Sequence, residues 1–184
     1  MGGSDKKIQN VYLIGPMGAG KTSIGRQLAR KLGLEFYDSD HVVEERTGAS
    51  IPWIYDIEGE EGFLQREIKV IEELTKLQGV LLATGGGTVI SPENRKALRA
   101  NGFIVYLKTS LDDQMERVKR SKKRPLIVGA GRRAVLKNLR VEREPFYEKL
   151  ADISYNTDGR PLSVVVDEIL KGLQKKGILQ KKEK

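Results

Sequence analysis

Residues 15–22 are the feature that most constrains how this chain can fold. They read Gly-Pro-Met-Gly-Ala-Gly-Lys-Thr, the pattern of a phosphate-binding loop. Glycines permit backbone angles that are closed to other residues, so successive N–H groups can turn inward around an anion. In such a loop Lys21 brings its charge to the β- and γ-phosphates of a nucleotide, and the Thr22 hydroxyl is placed for Mg²⁺.

The sequence on both sides of this loop supports the same interpretation. Residues 11–14 form a short apolar run of strand type, and Ile24, Leu28 and Leu32 follow the loop at helical spacing. A helix that starts directly after the loop adds its dipole to phosphate binding. A glycine-rich turn without a ligand would require neither the preceding strand nor the following helix. The strand, loop and helix together therefore predict an ATP site. The predicted contacts within the loop are Gly18, Ala19, Gly20, Lys21, Thr22 and Ser23.

Apolar runs of strand type recur along the chain and alternate with helical patterns. The alternation predicts βαβ units and an α/β fold, in which helices cover both faces of a parallel sheet. Ligands of such folds bind beyond the carboxyl ends of the strands. The length of 184 residues indicates a single domain, 1–184, with a core at 8–172 and a helical substrate-binding insertion at about 40–78. The predicted strands cover residues 11–14, 35–37, 80–83, 103–107 and 153–155.

Two carboxylates follow the second predicted strand, at Asp38 and Asp40. One could hold Mg²⁺ through water, and the other could orient or deprotonate an acceptor hydroxyl. The alternative is that Asp40 caps the helix that follows, but a cap explains only one of the two. The third strand ends in Thr84, where an aspartate would be the usual metal ligand. We therefore expect Asp38, together with Thr22, near the metal.

Two further segments, residues 85–87 and 117–133, have compositions that suggest contact with a ligand. Three consecutive glycines, residues 85–87, suggest close approach of the backbone to a ligand. The stretch 117–133 holds eight Lys or Arg and no acid, and its glycines suggest a lid that closes over ATP. A solvated, self-repelling loop would have the same composition. The turn at 156–161 would border the nucleotide base, which makes Arg160 a further candidate ATP contact.

The net charge of +8 raises the question of nucleic-acid binding. The positive charge is concentrated in the lid stretch and in a basic tail at 173–184, and neither segment has the interleaved aromatic residues of a single-strand binder. A clamp on ATP explains the lid charge better, so we expect no nucleic-acid partner. No segment approaches the ~20 apolar residues of a membrane span. The absence of cysteine excludes disulfides and thiolate chemistry and fits a cytoplasmic protein.

Taken in order, the motifs resemble those of the shikimate kinase family. They are residues 15–22, Asp-Ser-Asp at 38–40, Gly-Glu-Glu-Gly-Phe at 59–63, Ala-Thr-Gly-Gly-Gly at 83–87, Arg-Pro-Leu at 124–126 and Arg-Glu-Pro-Phe-Tyr at 143–147. The resemblance extends from about residue 11 to residue 169. The phosphate loop alone indicates only the superfamily, whereas the ordered set is highly specific.

The resemblance implies ATP- and Mg²⁺-dependent phosphorylation of the 3-hydroxyl of shikimate, a step toward chorismate and the aromatic amino acids. It implies a three-layer P-loop NTPase fold with a five-stranded parallel sheet and a mobile lid at about 117–133, usually in a monomer. The implied catalytic residues are Lys21, Asp40 and Arg124. Among the implied contacts, Asp40 meets the acceptor hydroxyls, Gly86 and Gly87 line the shikimate site, Arg143 pairs with the substrate carboxylate, Arg124 reaches the phosphates and Arg117 stacks on adenine.

One position departs from the family pattern. Family members that resemble this chain carry Arg directly after the Phe of Gly-x-x-x-Phe, where it binds the shikimate carboxylate. This chain has Leu64 at that position. Arg66 lies two residues further along and should point to a different face of the helix. Loss of a charge-assisted bond costs roughly 1.5–3 kcal/mol, or about tenfold to a hundredfold in affinity. The departure concerns acceptor binding and leaves the fold and nucleotide site unaffected.

Three other functions are compatible with a P-loop. A gluconate or nucleoside-monophosphate kinase would share the fold, although the two aspartates and the triple glycine argue against both. A nucleic-acid-binding P-loop protein would hydrolyse ATP in response to RNA or DNA and would bind with a steep salt dependence. A regulatory protein would retain ATP without acceptor chemistry.

Overall fold

The computed structural model describes residues 9–120 and 131–179. These ranges form an alternating series of strands and helices. The elements are β1 (Asn10–Ile14), α1 (Lys21–Leu32), β2 (Glu35–Asp38), α2 (Ser39–Thr47), α3 (Ile51–Lys76), β3 (Val80–Ala83), a 3₁₀ helix (Thr88–Ile90), α4 (Pro92–Asn101), β4 (Gly102–Lys108), α5 (Leu111–Lys119), α6 (Arg132–Leu150), β5 (Ile153–Asn156) and α7 (Leu162–Lys175). No helix within the described ranges is long and apolar enough to cross a membrane.

The five strands form one parallel sheet in the order β2-β3-β1-β4-β5. This confirms the predicted α/β fold with a five-stranded parallel sheet. The first strand lies in the centre, where Leu13 is in register with Ala83 on one side and Val105 on the other. Strands β2 and β3 lie on one side of β1, and β4 and β5 lie on the other. In parallel α/β sheets a ligand crevice opens where the strand order reverses in this way, beyond the carboxyl ends of the strands. The phosphate loop follows β1 at this point.

Helices cover both faces of the sheet, because successive side chains of a strand point to opposite faces. Tyr12 and Ile14 of β1 pack into one apolar layer with α3, α4 and α6, and Val11 and Leu13 pack into the other with α1 and α7. All of these β1 side chains are fully buried. Burial on both faces is why the three inner strands, β1, β3 and β4, appear in the sequence as continuous apolar runs.

The helix α3 is kinked at Gly59, which has φ 71° and ψ −175°. A residue with a side chain would be strained at this positive φ. The two sides of the kink are joined by an ion pair, in which Arg66 donates from Nε to Glu58 Oε2 at 2.8 Å and from an Nη to Oε1 at 2.6 Å. Arg66 is therefore engaged at the kink and does not replace the Arg that is absent at position 64.

We expect Gly25→Ala to destabilise the fold, because Gly25 lies where α1 packs on the sheet. A β-carbon there would lie 2.7 Å from Phe36 Cε2 and 3.2 Å from Leu81 Cδ2. Overpacking costs about 1–3 kcal/mol and outweighs the gain of about 1 kcal/mol in helix propensity. Urea unfolding should show a net loss of up to about 2 kcal/mol in unfolding free energy. Arg30→Ala on the exposed face of α1 is the control, and equal stability of the two variants would contradict this packing.

Candidate active site

The phosphate loop connects β1 to α1 through glycines whose backbone angles would strain other residues. Gly15 has φ +146°, and a β-carbon there would lie 2.4 Å from the carbonyl oxygen of Leu107. Gly18 and Gly20 also have positive φ, 80° and 91°. The buried Lys21 side chain lies within the turn and donates from Nζ to the carbonyl oxygens of Gly15 at 2.6 Å and Pro16 at 2.9 Å. The loop therefore already curves around a positive charge at the N-terminus of a helix, which is a favourable site for phosphate.

Thr22 and Asp38, which the sequence analysis expects near a metal, meet beside the loop. The Thr22 hydroxyl donates to Asp38 Oδ2 at 2.6 Å. The other oxygen, Oδ1, accepts from the backbone N–H groups of Asp40 at 3.0 Å and His41 at 3.3 Å. Asp38 is therefore the N-cap of α2, and the alternative that Asp40 caps this helix is wrong, because the helix starts at Ser39, directly after β2.

The donors at this position fit Mg²⁺, since they are a hydroxyl and a carboxylate oxygen. Within the described residues no group of three or more His, Cys, Asp or Glu could form a metal cage. Mg²⁺ in kinase sites usually keeps several waters and takes one or two carboxylates plus substrate phosphates. A hydroxyl and one carboxylate, as at Thr22 and Asp38, are thus enough protein ligands for a metal of this kind.

Asp40 lies against the triple-glycine turn that follows β3. A β-carbon at Gly85 would lie 2.7 Å from Asp40 Oδ1 and 2.9 Å from Glu67 Oε2. The turn is also fixed by its backbone, because the N–H of Gly85 donates to Ser39 Oγ at 3.1 Å. The absence of a side chain at Gly85 therefore brings two carboxyl groups, from α2 and α3, to the same edge of the site.

Arg143 of α6 faces the other two glycines. Its guanidinium nitrogens would lie 3.5 Å from a β-carbon at Gly86 and 3.4 Å from one at Gly87. Its Nε is buried and has no hydrogen-bond partner within the described residues. The neighbouring Tyr147 donates its hydroxyl proton to the carbonyl oxygen of Gly86. The three predicted acceptor-site residues Gly86, Gly87 and Arg143 thus lie together, and the turn reaches the phosphate loop, since Met17 N would lie 3.2 Å from a β-carbon at Gly86.

Glu67 is the residue of this site that the sequence interpretation missed. It is 1% exposed, and its Oε2 accepts a hydrogen bond from the buried Thr88 hydroxyl at 2.8 Å. Burial, and after it the negative charge of Asp40, raises the pKa of Glu67 to about 7, although Thr88 and Arg143 oppose the shift. The signal in the sequence was a single acid on the apolar stripe of α3 that contains Phe63, Val70 and Leu74, since buried acids are rare unless paired.

The two predicted adenine-side arginines line an open groove at the end of α5. Arg117 donates to the carbonyl oxygen of Gly18 at 2.8 Å, to Thr157 Oγ1 at 3.0 Å and to the Thr157 carbonyl at 2.9 Å. Arg160 lines the same groove, donates to the Asn156 carbonyl and pairs with Glu168. Arg117 is thus in contact with the phosphate loop, and the described hydrogen bonds of Arg160 go to Asn156 and Glu168. Arg124 and most of the predicted lid lie outside the described residues.

Glu67→Gln should make the stability of the protein less dependent on pH. The folded pKa of Glu67, about 7, exceeds its usual 4.5, so between these values the unfolded chain ionises at this residue and the folded chain does not. The contribution of Glu67 to stability therefore falls as pH rises through this window. Relative to the parent, the variant should gain about 2–3 kcal/mol of unfolding free energy between pH 4 and pH 8. Urea titrations at both pH values measure this gain, and a constant difference would contradict the burial of an ionisable carboxyl.

The fold and these contacts define a P-loop phosphotransferase: a phosphate loop, an oxygen-donor metal position and a second polar site beside it. The family described as shikimate kinase matches residues 17–174 of this chain. A shikimate kinase of Legionella pneumophila is 59% identical over 91% of this chain and 95% of its own length. The chain belongs to the shikimate kinase family.

Solved structures agree with this assignment. A shikimate kinase from Acinetobacter baumannii, in complex with shikimate, superposes with a TM-score of 0.89 and 43% identity, over 92% of this chain and 94% of that one. A gluconokinase from Sinorhizobium meliloti superposes with a TM-score of 0.55 and 15% identity, over 91% and 93% of the two chains. The second likeness shows a shared fold alone.

Proposed function

We propose that this chain transfers the γ-phosphoryl group of ATP to the 3-hydroxyl of shikimate and releases ADP and shikimate 3-phosphate. One observation carries the proposal. The Asp40 carboxylate and the Arg143 guanidinium lie against the same three-glycine turn, and that turn contacts the phosphate loop. This arrangement supports a site in which Asp40 binds an acceptor hydroxyl and Arg143 binds a carboxylate, beside the phosphate loop. The Acinetobacter relative, solved with shikimate, supports this choice of acceptor.

In this mechanism the acceptor is held at both ends. Arg143 binds the shikimate carboxylate, with the backbone of Gly86 and Gly87 close by, and Asp40 accepts a hydrogen bond from the 3-hydroxyl. As the new bond forms between this oxygen and the γ-phosphorus, Asp40 receives the hydroxyl proton and the bond from phosphorus to the ADP oxygen breaks. Orientation of this kind supplies much of the rate of phosphoryl transfer, because little covalent chemistry is left to the protein.

The phosphate loop and its neighbours bind the nucleotide. The backbone N–H groups of residues 18–23 surround the phosphates, and Lys21 turns its ammonium from the loop carbonyls toward the γ-phosphate. Thr22 and Asp38 would hold Mg²⁺, which would supply positive charge to neutralise the phosphates. Arg117 and Arg160 border the base, and Arg124 supplies a further positive charge to the transferring group. We also propose a monomer, as the family resemblance implies. From the composition we propose a cytoplasmic location without a nucleic-acid or membrane partner.

A coupled assay of ADP release with an acceptor panel tests this proposal. With ATP and Mg²⁺, we expect turnover with shikimate and none above background with gluconate, nucleoside monophosphates or RNA. Preference for gluconate or a nucleoside monophosphate would contradict the proposed acceptor and would indicate one of the related kinase activities instead. Stimulation by RNA alone, falling steeply with salt, would support a nucleic-acid function instead.

A further inference from the structure

The mechanism above gives Glu67 no role, although it is the second carboxyl group at the acceptor site. Both Glu67 Oε2 and Asp40 Oδ1 lie within 3 Å of the point that a β-carbon on Gly85 would occupy. The two oxygens are therefore no more than about 6 Å apart. Two negative charges at this separation repel strongly when one of them is shielded from water. The charge of Glu67 must then affect whatever binds beside Asp40.

The groups that face Glu67 within the described residues come from three α-helices and the 3₁₀ helix. Asp40 faces it from α2, Arg143 from α6 and Tyr55 from α3 itself, and the Thr88 hydroxyl donates to it from the 3₁₀ helix. Tyr55 stays neutral, because burial raises the pKa of its hydroxyl to about 12. The described groups around Glu67 therefore include one cation, Arg143, and an anion, Asp40.

Position 64 could supply a second cation to this cluster, but it is Leu in this chain. Residues three apart are neighbours on a helix surface, so Leu64 lies one turn from Glu67 along α3. Arg66 does not fill the gap, because Glu58 holds its guanidinium through two bonds at the Gly59 kink. When Glu67 is neutral, the charges of Asp40 and Arg143 cancel. With Glu67 ionised, the described cluster carries a net negative charge.

We propose that Glu67 is a specificity-determining residue that must carry a proton for the acceptor carboxylate to bind, so that this proton replaces a positive charge at position 64. When Glu67 is neutral, the Arg143 guanidinium is available to bind the acceptor carboxylate. An ionised Glu67 competes for Arg143 and repels the anionic acceptor. Burial already raises the pKa of Glu67 to about 7, so the required proton is available near neutral pH.

The proposal rests on the proposed function, since it concerns an acceptor that is an anion. It makes acceptor binding and proton binding to Glu67 mutually favourable. The dissociation constant for shikimate should be lowest below about pH 7 and should rise above it, by up to tenfold per pH unit for one fully coupled proton. Between pH 6.0 and pH 8.5 we expect a rise of at least about tenfold.

The experiment is isothermal titration calorimetry of shikimate into the full chain at pH 6.0, 7.0, 7.7 and 8.5, without ATP. Glu67→Gln, which cannot ionise and keeps an oxygen to accept from Thr88, should bind at pH 8.5 as tightly as the parent binds at pH 6.0. Leu64→Arg should bind tightly throughout, because the added cation offsets the ionised carboxyl. Glu72→Gln, an exposed acid on the same helix, should reproduce the parental profile.

Two further measurements distinguish an effect of the charge on Glu67 from a purely structural effect of this residue. Shikimate methyl ester, which has no negative charge, should bind this chain with little dependence on pH. Thr88→Val removes the donor that stabilises ionised Glu67 and should move the loss of shikimate affinity to higher pH. A purely structural role for Glu67 would change affinity by the same factor at every pH and would not move the profile.

A shikimate dissociation constant that is flat from pH 6.0 to 8.5 in the parent would overturn this inference. So would a Glu67→Gln variant that keeps the parental slope. If that variant does not fold, Leu64→Arg decides, since an unchanged slope there has the same meaning. The proposed function is tested separately: a flat profile with normal shikimate turnover rejects only the role of Glu67, whereas absence of turnover at every pH rejects both.

Discussion

Asp40→Asn is expected to reduce turnover with shikimate by about a hundredfold to ten-thousandfold, the range attributed to a general base. The amide has nearly the same shape as the carboxylate, so contact with the Gly85 turn should be kept. It cannot accept the hydroxyl proton, and it orients the hydroxyl less strongly because it carries no charge. The loss should appear in kcat, measured by ADP release at saturating shikimate, with the KM for ATP nearly unchanged.

The neighbouring residue offers a matched control for this variant. His41 lies directly after Asp40 at the start of α2, but its side chain is 64% exposed and pairs only with Glu45 in the described structure. His41→Gln should therefore retain parental turnover and parental unfolding free energy. Near-parental kcat in Asp40→Asn would remove Asp40 from the proposed proton transfer.

Lys21→Ala is the second change with a large expected effect, a loss of about a hundredfold to a thousandfold in kcat. The ammonium group is the one described cation inside the phosphate loop, where charge develops during transfer. Its removal also releases the carbonyl oxygens of Gly15 and Pro16, so the KM for ATP should rise as well. Stopped assays at high ATP concentration separate the loss in kcat from the loss in binding.

Lys31→Ala on the same helix is the control for loss of a lysine. Its ammonium is exposed and pairs with Asp167 on α7. An exposed pair of this kind contributes at most about 1 kcal/mol, so turnover should be unchanged. Equal kcat values for Lys21→Ala and Lys31→Ala would contradict the assignment of the loop lysine to catalysis.

The sheet and the phosphate loop could be predicted from sequence because both depend on local patterns. Parallel strands buried on two faces are continuous apolar runs, and each predicted run corresponds to an observed strand. The loop was predictable because its glycines, Lys21 and Thr22 stand at fixed spacing between a strand and a helix. The meeting of Thr22 with Asp38 followed from the rule that carboxyl ends of parallel strands share one edge.

The acceptor side was harder to predict because it depends on how separate helices meet. The sequence pattern of α3 indicates apolar stripes, but the residue that faces Asp40 is set by the kink at Gly59 and by packing on the 3₁₀ helix. Glu67 therefore appeared to be an ordinary helix residue. Likewise the cap of α2 belongs to Asp38, because α2 begins directly after β2 with no loop between them.

The predicted roles of Arg117 and Arg160 stay predictions, and the structure adds detail to each. Arg117 joins the phosphate loop to the segment after β5 through three hydrogen bonds, which depends on contacts between distant parts of the chain. No local pattern in the sequence encodes such a bridge. Arg160 binds Glu168 two turns into α7, a pair that composition alone does not reveal.

The most direct test of the central claim is identification of the product formed from ATP, Mg²⁺ and shikimate. Phosphorus NMR with proton coupling locates the phosphoryl group on the acceptor ring, and the coupled assay counts ADP in the same reaction. We predict one shikimate 3-phosphate for each ADP, with the phosphorus coupled to the proton on carbon 3. ADP release that does not depend on shikimate, or a phosphoryl group on another oxygen, would contradict the account.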